Sequence, residues 1–482
     1  MKKVFLIVFL LLPVVLFSCD NNNNDDVITI SYAAWNLGNA EDYNIERRMI
    51  NAFMVEHPDV VIDVLERPRI VDEDGNEVDS SWDEFFATRA SIGKMPDVFQ
   101  VDSVIKTIEQ EWVEDLSEFV NSDEDYLKMP EDIRNSAKFG DKVFALPQAM
   151  FYFGFFINRT AINNVGPGAV IPEYGISYQD LMEAAKKNSK AAIVGGDGIA
   201  GISGLHSLYE WLPAQYDENL GWFTYNEEGY HLDSDAFRIA MTEQQKYFGE
   251  NKSLYEDYVL ETQDNQEDRY GEGDVFVNGK QSIRFEGSYN IRDWVSFTKD
   301  EKHALYGQDI DFIGTPSVTV DGKQNHRIPI VMDYIGVGKG TKHKEVAFEF
   351  AKWMGYGVEG YLKRLEIAKN NPKAGAVNFP PLVKDETLIE QYFNLYPTLT
   401  EYRKIVETHE DFIIESLAKV VPGYVKSRWE GKYSTEKTIA VILDEIRDGN
   451  FSLTDALEAG LNDLINEEYN NAKAELERIL NK

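Results

Sequence analysis

The sequence predicts an α/β protein of two or three lobes, built on mainly parallel sheets flanked by helices. Patterns typical of strands and helices alternate over residues 27–102, and strands joined through helices in this way lie parallel. The chain of 482 residues exceeds the roughly 100–200 residues of one domain. Its hydrophobic content of 43% is ample for a buried core.

The first strand is predicted at 27–35, where β-branched residues end in a polar turn. A helix follows, because the apolar residues from Ile45 to Phe53 recur at helical spacing until His57-Pro58 ends the pattern. The next elements are a strand at 60–67, a surface hairpin tip at 71–78, a helix at 81–93 and a strand at 96–102.

The apolar run at 142–160 continues past a proline, which predicts two strands joined by an extended crossing. No internal repeat is visible in the rest of the chain. The remaining elements are helices at 177–190 and 233–248, a strand and glycine turn within 276–294, a strand, loop and helix within 333–354, and mostly helix from 384 to 482.

The only cysteine of the chain, Cys19, lies between an apolar run and a string of asparagines. Two lysines precede a nearly all-apolar run of 14 residues at 4–17, which is shorter than the roughly 20 residues of a bilayer span and fits a signal peptide. LFSC (16–19) resembles the lipobox of bacterial lipoproteins, whose cysteine is diacylated and becomes the new N-terminus. We therefore predict a lipoprotein signal peptide at 1–18 and a lipidated cysteine with a flexible tether at 19–26. The alternative is an ordinary cleaved signal peptide.

The net charge of −35 argues against two classes of partner. Nucleic acid needs lysine and arginine opposite its phosphates, so we expect none to bind. A strongly negative protein is equally unsuited to lie flat on anionic lipid. Because there is a single cysteine, a disulfide within the chain is impossible and stability must come from the core.

Motifs of common enzyme classes are missing from the sequence. The seven histidines show no metal-binding spacing and no HExxH. AGISG (200–204) lacks the spacing of a nucleophile elbow, and GVGKGTK (336–342) lacks the G-K-[ST] ending of a phosphate loop. A glycosidase pair of carboxylates stays open, because 83 acidic residues offer many pairs and no spacing singles one out. We expect no enzymatic activity, no cofactor and no metal.

Aromatic and polar residues lie together where predicted strands end and loops begin. In open α/β sheets, ligands bind beyond the carboxyl ends of strands. A sugar stacks its C–H face on an aromatic ring, and its hydroxyls need donors and acceptors. The aromatic candidates are Trp35, Phe151, Tyr152, Trp211 and Tyr289, and the polar candidates are Asp102, Gln148, Glu210, Glu286 and Asp333. Any single ring is equally well explained by core packing, but the set predicts a sugar-binding site.

Six segments resemble, in order, the extracellular solute-binding lipoproteins of ABC transporters, in the carbohydrate-binding family 1 related to maltodextrin-binding protein. The resemblance covers nearly the full mature length. It implies a two-lobed, periplasmic-binding-protein-like fold of the class II type, with crossing strands between the lobes and ligand in the cleft. The segments are MPDVFQVDS (95–103), ALPQAMFYFGFFIN (145–158), SYQDLMEAAKK (177–187), FVNGKQSIRFEGSYNI (276–291), GVGKGTKHKEVAFEFAKWM (336–354) and LDEIRDGNFSLTDALEAGLNDL (443–464).

The same resemblance implies roles for single residues. Trp35 follows the first strand, where a ligand contact is common, and Asp102 closes the third-strand motif. Gln148 and Phe151 lie in the first crossing, where Gln148 replaces a frequent tyrosine. Tyr289 takes the place of a stacking aromatic after Gly-Ser. The looser matches are Trp211 and Tyr424.

The resemblance also implies how the chain is divided. We expect residues 27–148 with 333–395 to form lobe 1, and residues 149–332 with 396–482 to form lobe 2. Each lobe would supply part of the ligand contacts, so that binding shifts an open–closed equilibrium toward the closed form.

The expected function is that of a solute-binding subunit of an ABC importer, lipid-anchored at the outer face of the cell membrane. It would be a monomer that captures a sugar or oligosaccharide and delivers it to permease subunits, touching the membrane only through its anchor. One alternative is an extracellular glycoside hydrolase or lyase. Another is the same fold capturing a peptide or polyamine, which the negative charge leaves open.

Overall fold

The computed structural model of the chain describes residues 27–38, 40–71, 77–101, 103–371, 375–414 and 433–481. The predicted signal peptide and tether, including Cys19, lie outside these residues, as do Asp102 and Tyr424. Within the described ranges, no helix is both long and apolar enough to cross a membrane.

The strands are distributed along the described chain from its start to Ile414. They are β1 (Ile28–Ala33), β2 (Val60–Val64), β3 (Arg69–Val71), β4 (Glu77–Asp79), β5 (Val98–Val101), β6 (Lys138–Phe139), β7 (Lys142–Val143), β8 (Leu146–Asn158), β9 (Ala200–Ser203), β10 (Tyr225–Asn226), β11 (Gly229–Tyr230), β12 (Gln281–Gly287), β13 (Ile310–Gly314), β14 (Val318–Val320), β15 (Lys323–Asn325), β16 (Ile328–Val337) and β17 (Phe412–Ile414).

Several helices begin at a polar residue that caps their free N–H groups. Asn44 accepts a hydrogen bond from the Arg47 N–H, and Ser81 forms a capping box with Glu84. The α-helices are α1 (Ile45–Glu56), α2 (Trp82–Ser91), α3 (Val104–Glu109), α4 (Ser117–Val120), α5 (Glu124–Lys128), α6 (Glu131–Asn135), α7 (Arg159–Val165), α8 (Tyr178–Lys187), α9 (Leu208–Trp211), α10 (Pro213–Tyr216), α11 (Asp235–Phe248), α12 (Gln266–Tyr270), α13 (Trp294–Phe297), α14 (Lys344–Met354), α15 (Val358–Asn370), α16 (Glu386–Leu395), α17 (Thr400–Thr408), α18 (Ile439–Arg447), α19 (Leu453–Glu458) and α20 (Leu461–Leu480).

The alternation predicted for residues 27–102 is confirmed. β1, α1, β2, α2 and β5 follow one another in that order, and β1 pairs parallel with both β2 and β5. The predicted hairpin has β3 and β4 as its antiparallel arms, and its tip lies outside the described residues. The described part of residues 384–482 is mostly helical, as predicted, with the short strand β17 inserted.

The segment 142–160 holds two strands, as predicted, but they are not joined by an extended crossing: β7 has two residues, and the 13-residue β8 is itself the crossing strand. Pro147 does not interrupt it. This proline pairs with Tyr334 of β16, next to a shift in register between Asp333 and Tyr334. A proline cannot donate a ladder hydrogen bond and is tolerated at such an irregularity, so the strand continues through it.

One sheet runs through the molecule in the order β2-β1-β5-β16-β8-β12-β9, with β13 beside β8 and β17 beside β16. At one end, β1, β2 and β5 are parallel, and at the other end β9 and β12 are parallel. The long strands β8 and β16 run antiparallel between these two groups and join them. They are the crossing strands of the fold.

Two large apolar cores lie on the sheet, with a small third cluster around Tyr270. One contains Phe53 and Phe99 and continues along the crossing strands to Phe312, and the other surrounds Phe155 and Trp211. Helix α20 belongs to both. Its first half contributes Leu461 and Ile465 to the second core, whereas Leu476 belongs to the first core, where α20 packs against α3. The C-terminal helix therefore connects the two cores.

Candidate functional site

The strand register locates the place where the carboxyl ends of strands from both parallel groups meet. Val101, at the end of β5, is level with Pro147 of β8, because both pair with the same residue of β16. From the other side, Gly287 at the end of β12 pairs with Phe153 of β8. Residues 148–152 therefore lie between the carboxyl ends of β5 and β12, where α/β sheets bind ligands.

Side chains of β8 alternate between two faces here. We call the face that carries Phe151 and Phe153 the front face, and the face that carries Tyr152 the back face. On the front face, the ring of Tyr289 lies 5.9 Å from the ring of Phe151 and 5.9 Å from that of Phe153, nearly perpendicular to each. Tyr289 is half-buried, so its ring is part of an accessible aromatic surface. The structure brings the predicted residues Phe151 and Tyr289 together.

The orientation of Tyr289 follows from its local sequence. Its hydroxyl donates a hydrogen bond to Glu286 Oε1 at 2.7 Å, and the N–H of Gly287 donates to the same oxygen at 3.0 Å. A Cβ on residue 287 would overlap the Tyr289 ring, so only glycine lets the ring fold back over the end of β12. The Glu-Gly-Ser-Tyr sequence thus fixes a half-buried ring and a half-buried carboxylate side by side.

Asp333 supplies a second carboxylate to the front face. It pairs with Ala149 across the crossing strands, and directly opposed residues of antiparallel strands point to the same side. Ala149 lies two residues before Phe151, so Asp333 shares its face. The side chain is half-buried. Asp333 gives this face an acceptor suited to hydroxyl groups. Glu286 pairs with Gly154, whose register position is on the back face, and its carboxylate meets the aromatic surface at the Tyr289 hydroxyl.

Trp35 stands at the carboxyl end of β1, in the 3-10 turn Trp35–Leu37, and is 36% exposed. Its backbone N–H donates to Gln100 Oε1 at 2.9 Å, and Gln100 Nε2 donates to Gln148 Oε1 at 2.8 Å. Gln148 was predicted to contact ligand, but it is only 2% exposed. Its interaction is with Gln100, a residue that sequence reasoning missed although a glutamine within the apolar strand VFQV is a visible signal.

Two predicted contacts are buried and do not belong to the accessible aromatic surface. Tyr152 is on the back face, where its ring packs 5.5 Å from Tyr402 and 5.6 Å from Phe412, and burial raises the pKa of its hydroxyl. Trp211 is fully buried and stacks on Phe285 at 5.9 Å. Neither ring is available to a ligand bound at the front face. Glu210, beside Trp211 in α9, is half-buried.

Trp222 packs behind the aromatic surface, is only 2% exposed, and was not predicted. Its ring lies 5.1 Å from that of Phe153 and stacks on Phe223 at 5.0 Å. Phe223 and Thr224 have positive φ angles of 59° and 56°, which cost non-glycine residues about 1–3 kcal/mol each. Three aromatic residues within GWFTY (221–225) are the signal that could have indicated this turn.

Two further observations concern which residues and ions the candidate site could contain. The predicted contacts Asp102 and Tyr424 lie outside the described residues, so their positions stay predictions. Among the residues that the structure describes, no group of three His, Cys, Asp or Glu could hold a metal ion.

A cavity of about 670 Å³ opens on the back face and is separate from the front-face aromatics. Met150, Tyr152, Val406 and Phe412 form its apolar wall. None of Phe151, Phe153, Tyr289 and Trp35 lines it. Because it is not at the carboxyl ends of β1, β5 and β12, we place the candidate site at the front face instead.

Comparison with known proteins decides the family. Residues 40–355, more than half of the chain, match the family described as bacterial extracellular solute-binding protein. The chain belongs to this family. No curated protein matches the sequence significantly.

Solved structures of proteins with a similar fold match most of the chain. An ABC substrate-binding protein of Listeria monocytogenes in complex with cycloalternan is 17% identical, with a TM-score of 0.62 over 92% of this chain and 100% of that one. A sugar transporter protein of Rhizobium etli in an open conformation is 14% identical, with a TM-score of 0.62 over 91% and 99%. Maltose-bound MalE3 of T. maritima is 15% identical, with a TM-score of 0.58 over 91% and 99%. At these identities the likeness concerns the fold, and it confirms the predicted two-lobed, periplasmic-binding-protein-like α/β fold.

Proposed function

We propose that this member of the extracellular solute-binding family is the binding subunit of an ABC importer and captures a sugar or oligosaccharide at the front face of β8. The observation that carries the proposal is the joined set of Phe151, Tyr289 and Glu286 between the carboxyl ends of strands from both lobes. Perpendicular aromatic rings offer faces for the C–H surface of a sugar, and the carboxylates accept hydroxyl hydrogen bonds.

The proposed mechanism is cleft closure without a covalent step. Trp35 would contact the ligand from lobe 1 and Tyr289 from lobe 2, so a ligand has more partners when the lobes approach. It then shifts the open–closed equilibrium by its higher affinity for the closed form. The relatives in complex with cycloalternan and maltose support the choice of a sugar.

The same proposal includes the cellular location of the protein and its attachment to the membrane. Lipidation of Cys19 would hold a monomer at the outer face of the cell membrane, where permease subunits accept the closed form. The strongly negative chain would touch the membrane through the lipid alone, since its charge of −35 repels anionic headgroups.

A thermal-shift screen of the mature protein against maltose, mannotriose, tagatose and cycloalternan tests the proposal. A ligand that binds the folded state raises the melting temperature, by an amount that grows with concentration over Kd. We expect at least one of these sugars to raise it, with a Kd in the micromolar range or lower by calorimetry. No shift with any neutral sugar would contradict the proposal.

The two alternatives are tested in the same preparation. An extracellular hydrolase or lyase would shorten oligosaccharides over hours, which chromatography of the incubated sugars detects. A polyamine-binding protein would respond to spermidine in calorimetry, and its affinity would fall steeply with salt. We expect intact sugars and no heat of binding with spermidine.

A further inference from the structure

The turn that carries Trp35 lacks a cap from its own segment. The residue before it is Ala34, which has no side-chain acceptor, and the turn shows no side-chain cap hydrogen bond. The acceptor comes from the neighbouring strand instead. Gln100 Oε1 receives the N–H of Trp35 at 2.9 Å and that of Asn36 at 3.4 Å. Gln100 therefore performs for this turn what an N-cap residue does for a helix.

The direction of the Gln100 amide satisfies both of its neighbours. Gln100 is 1% exposed, and its Nε2 donates to Gln148 Oε1 at 2.8 Å. If the Gln100 amide were reversed, Nε2 would face the N–H of Trp35 and Oε1 would face Gln148 Oε1, which places like groups together at both ends. In the observed orientation Gln100 Oε1 caps the turn and Nε2 meets the acceptor on β8, so both ends of the amide are satisfied.

Gln148 lies at the irregular point of the crossing strands. On β16 the register shifts between Asp333 and Tyr334, whose partners on β8 are Ala149 and Pro147. Gln148 is the residue between these two. A bulge bends a strand and increases its local twist, so a change in angle between the lobes is concentrated at this point.

We propose that Gln100 and Gln148 are positioning residues that couple the bend between the lobes to the orientation of Trp35. The chain of contacts runs from the irregular point of β8, through two buried amides, to the backbone of the turn that carries Trp35. Movement of Gln148 relative to β5 pulls on the Gln100 amide and changes the cap of the turn. The proposal rests on the proposed function, because Trp35 matters only as part of that site.

The test is the 19F NMR signal of Trp35 in protein labelled with 5-fluorotryptophan, assigned by its loss in Trp35→Phe. In the ligand-free protein, we expect Gln148→Leu and Gln100→Leu to shift or broaden this signal. Gln148→Glu keeps an acceptor for Gln100 Nε2 and should return the signal close to the wild-type position, even where stability falls. An unchanged Trp35 signal in both leucine variants would overturn the proposal.

Gln244→Leu is the matched control. Gln244 is fully buried in lobe 2 and donates to the Leu205 carbonyl, so the same substitution costs stability without touching the turn of Trp35. We expect it to lower the melting temperature and leave the Trp35 signal in place. If it moves the signal as much as Gln148→Leu does, the effect is general loosening and the coupling is refuted.

Titration with the panel sugar that raises the melting temperature (maltose, mannotriose, tagatose or cycloalternan) completes the test. Gln148→Leu should weaken its affinity on the order of tenfold, the scale of losing one buried hydrogen bond. Equal affinity in the variant and the wild type would contradict the coupling. If no panel sugar binds, the proposed function fails, whereas the ligand-free spectra still decide whether the two glutamines position Trp35.

Discussion

The two faces of β8 use the same residue types for different purposes. On the back face, Tyr152 and Phe156 are buried against rings of other elements, at 5.5 Å from Tyr402 and 4.9 Å from Trp294. On the front face, Phe151 meets Tyr289, which keeps part of its ring accessible. Residues one position apart in sequence thus have different surroundings, because strand alternation sends them to opposite sides of the sheet. Position along the strand matters as well, since Phe155, on the same face as Phe151, is fully buried in the second core.

The largest expected effect is on the back face. Phe156 is fully buried and also packs 5.0 Å from Phe312, so Phe156→Ala should cost about 3–5 kcal/mol of unfolding free energy by leaving a cavity. Urea denaturation monitored by circular dichroism measures this. Sugar affinity of the remaining folded protein should stay within about twofold of wild type. A loss below about 1 kcal/mol would mean that the back face is not a packed core.

The next largest effect is expected at acidic pH, which should lower the stability of the back face. His326 and His409 lie 4.8 Å apart beside β16 and β17, with Tyr174 and Asp411 hydrogen-bonded to His409. Burial lowers the pKa of His326 to about 4, with a contribution from His409, and burial also lowers the pKa of His409.

Since both histidines are held neutral when folded, the unfolded chain binds more protons below pH 6.5 and stability falls from there toward pH 4. We expect His326 alone to account for about 2 kcal/mol between pH 7 and pH 5. Urea denaturation at the two pH values measures the loss, and the double variant His326→Gln, His409→Gln should show a smaller one. Equal losses in both proteins would refute the assignment.

On the front face, Tyr289→Ala should affect binding more than stability. Losing a half-buried stacking ring costs about 1.4 kcal/mol of binding, or roughly tenfold in Kd. Calorimetry with the sugar identified in the screen measures it. Tyr289→Phe keeps the ring and loses only the hydrogen bond to Glu286, so its Kd should lie between those of the wild type and Tyr289→Ala. If Tyr289→Ala destabilises the protein as much as Phe156→Ala, the distinction between the faces fails.

The smallest effect is expected from Asp333→Asn. A neutral sugar needs the acceptor oxygen and not the negative charge, so Kd should change by less than about threefold and stay independent of salt. Calorimetry at low and high salt distinguishes the outcomes. A large, salt-dependent loss would indicate a cationic ligand and would favour the polyamine alternative.

The elements of the fold were predictable because their signals are local. The apolar spacing of α1 and the capping box of α2 are read within one or two turns of chain. The site was predictable only in part. Phe151 and Tyr289 follow from strand ends, but the burial of Trp211 depends on stacking with Phe285, which is distant in sequence. The link from Gln100 to Trp35 joins two strands and has no local pattern either.

Helix α20 has a consequence for how the chain acquires its structure. It packs against α3, so residues near the C-terminus cover apolar side chains that were synthesised early. A contact between such distant parts of the sequence is slow to form, and it cannot exist until α20 has been synthesised. During translation, the apolar surface of α3 therefore stays uncovered until α20 is available. Helix α20 thus completes the packing of a region whose strands β1, β2 and β5 precede it by most of the chain.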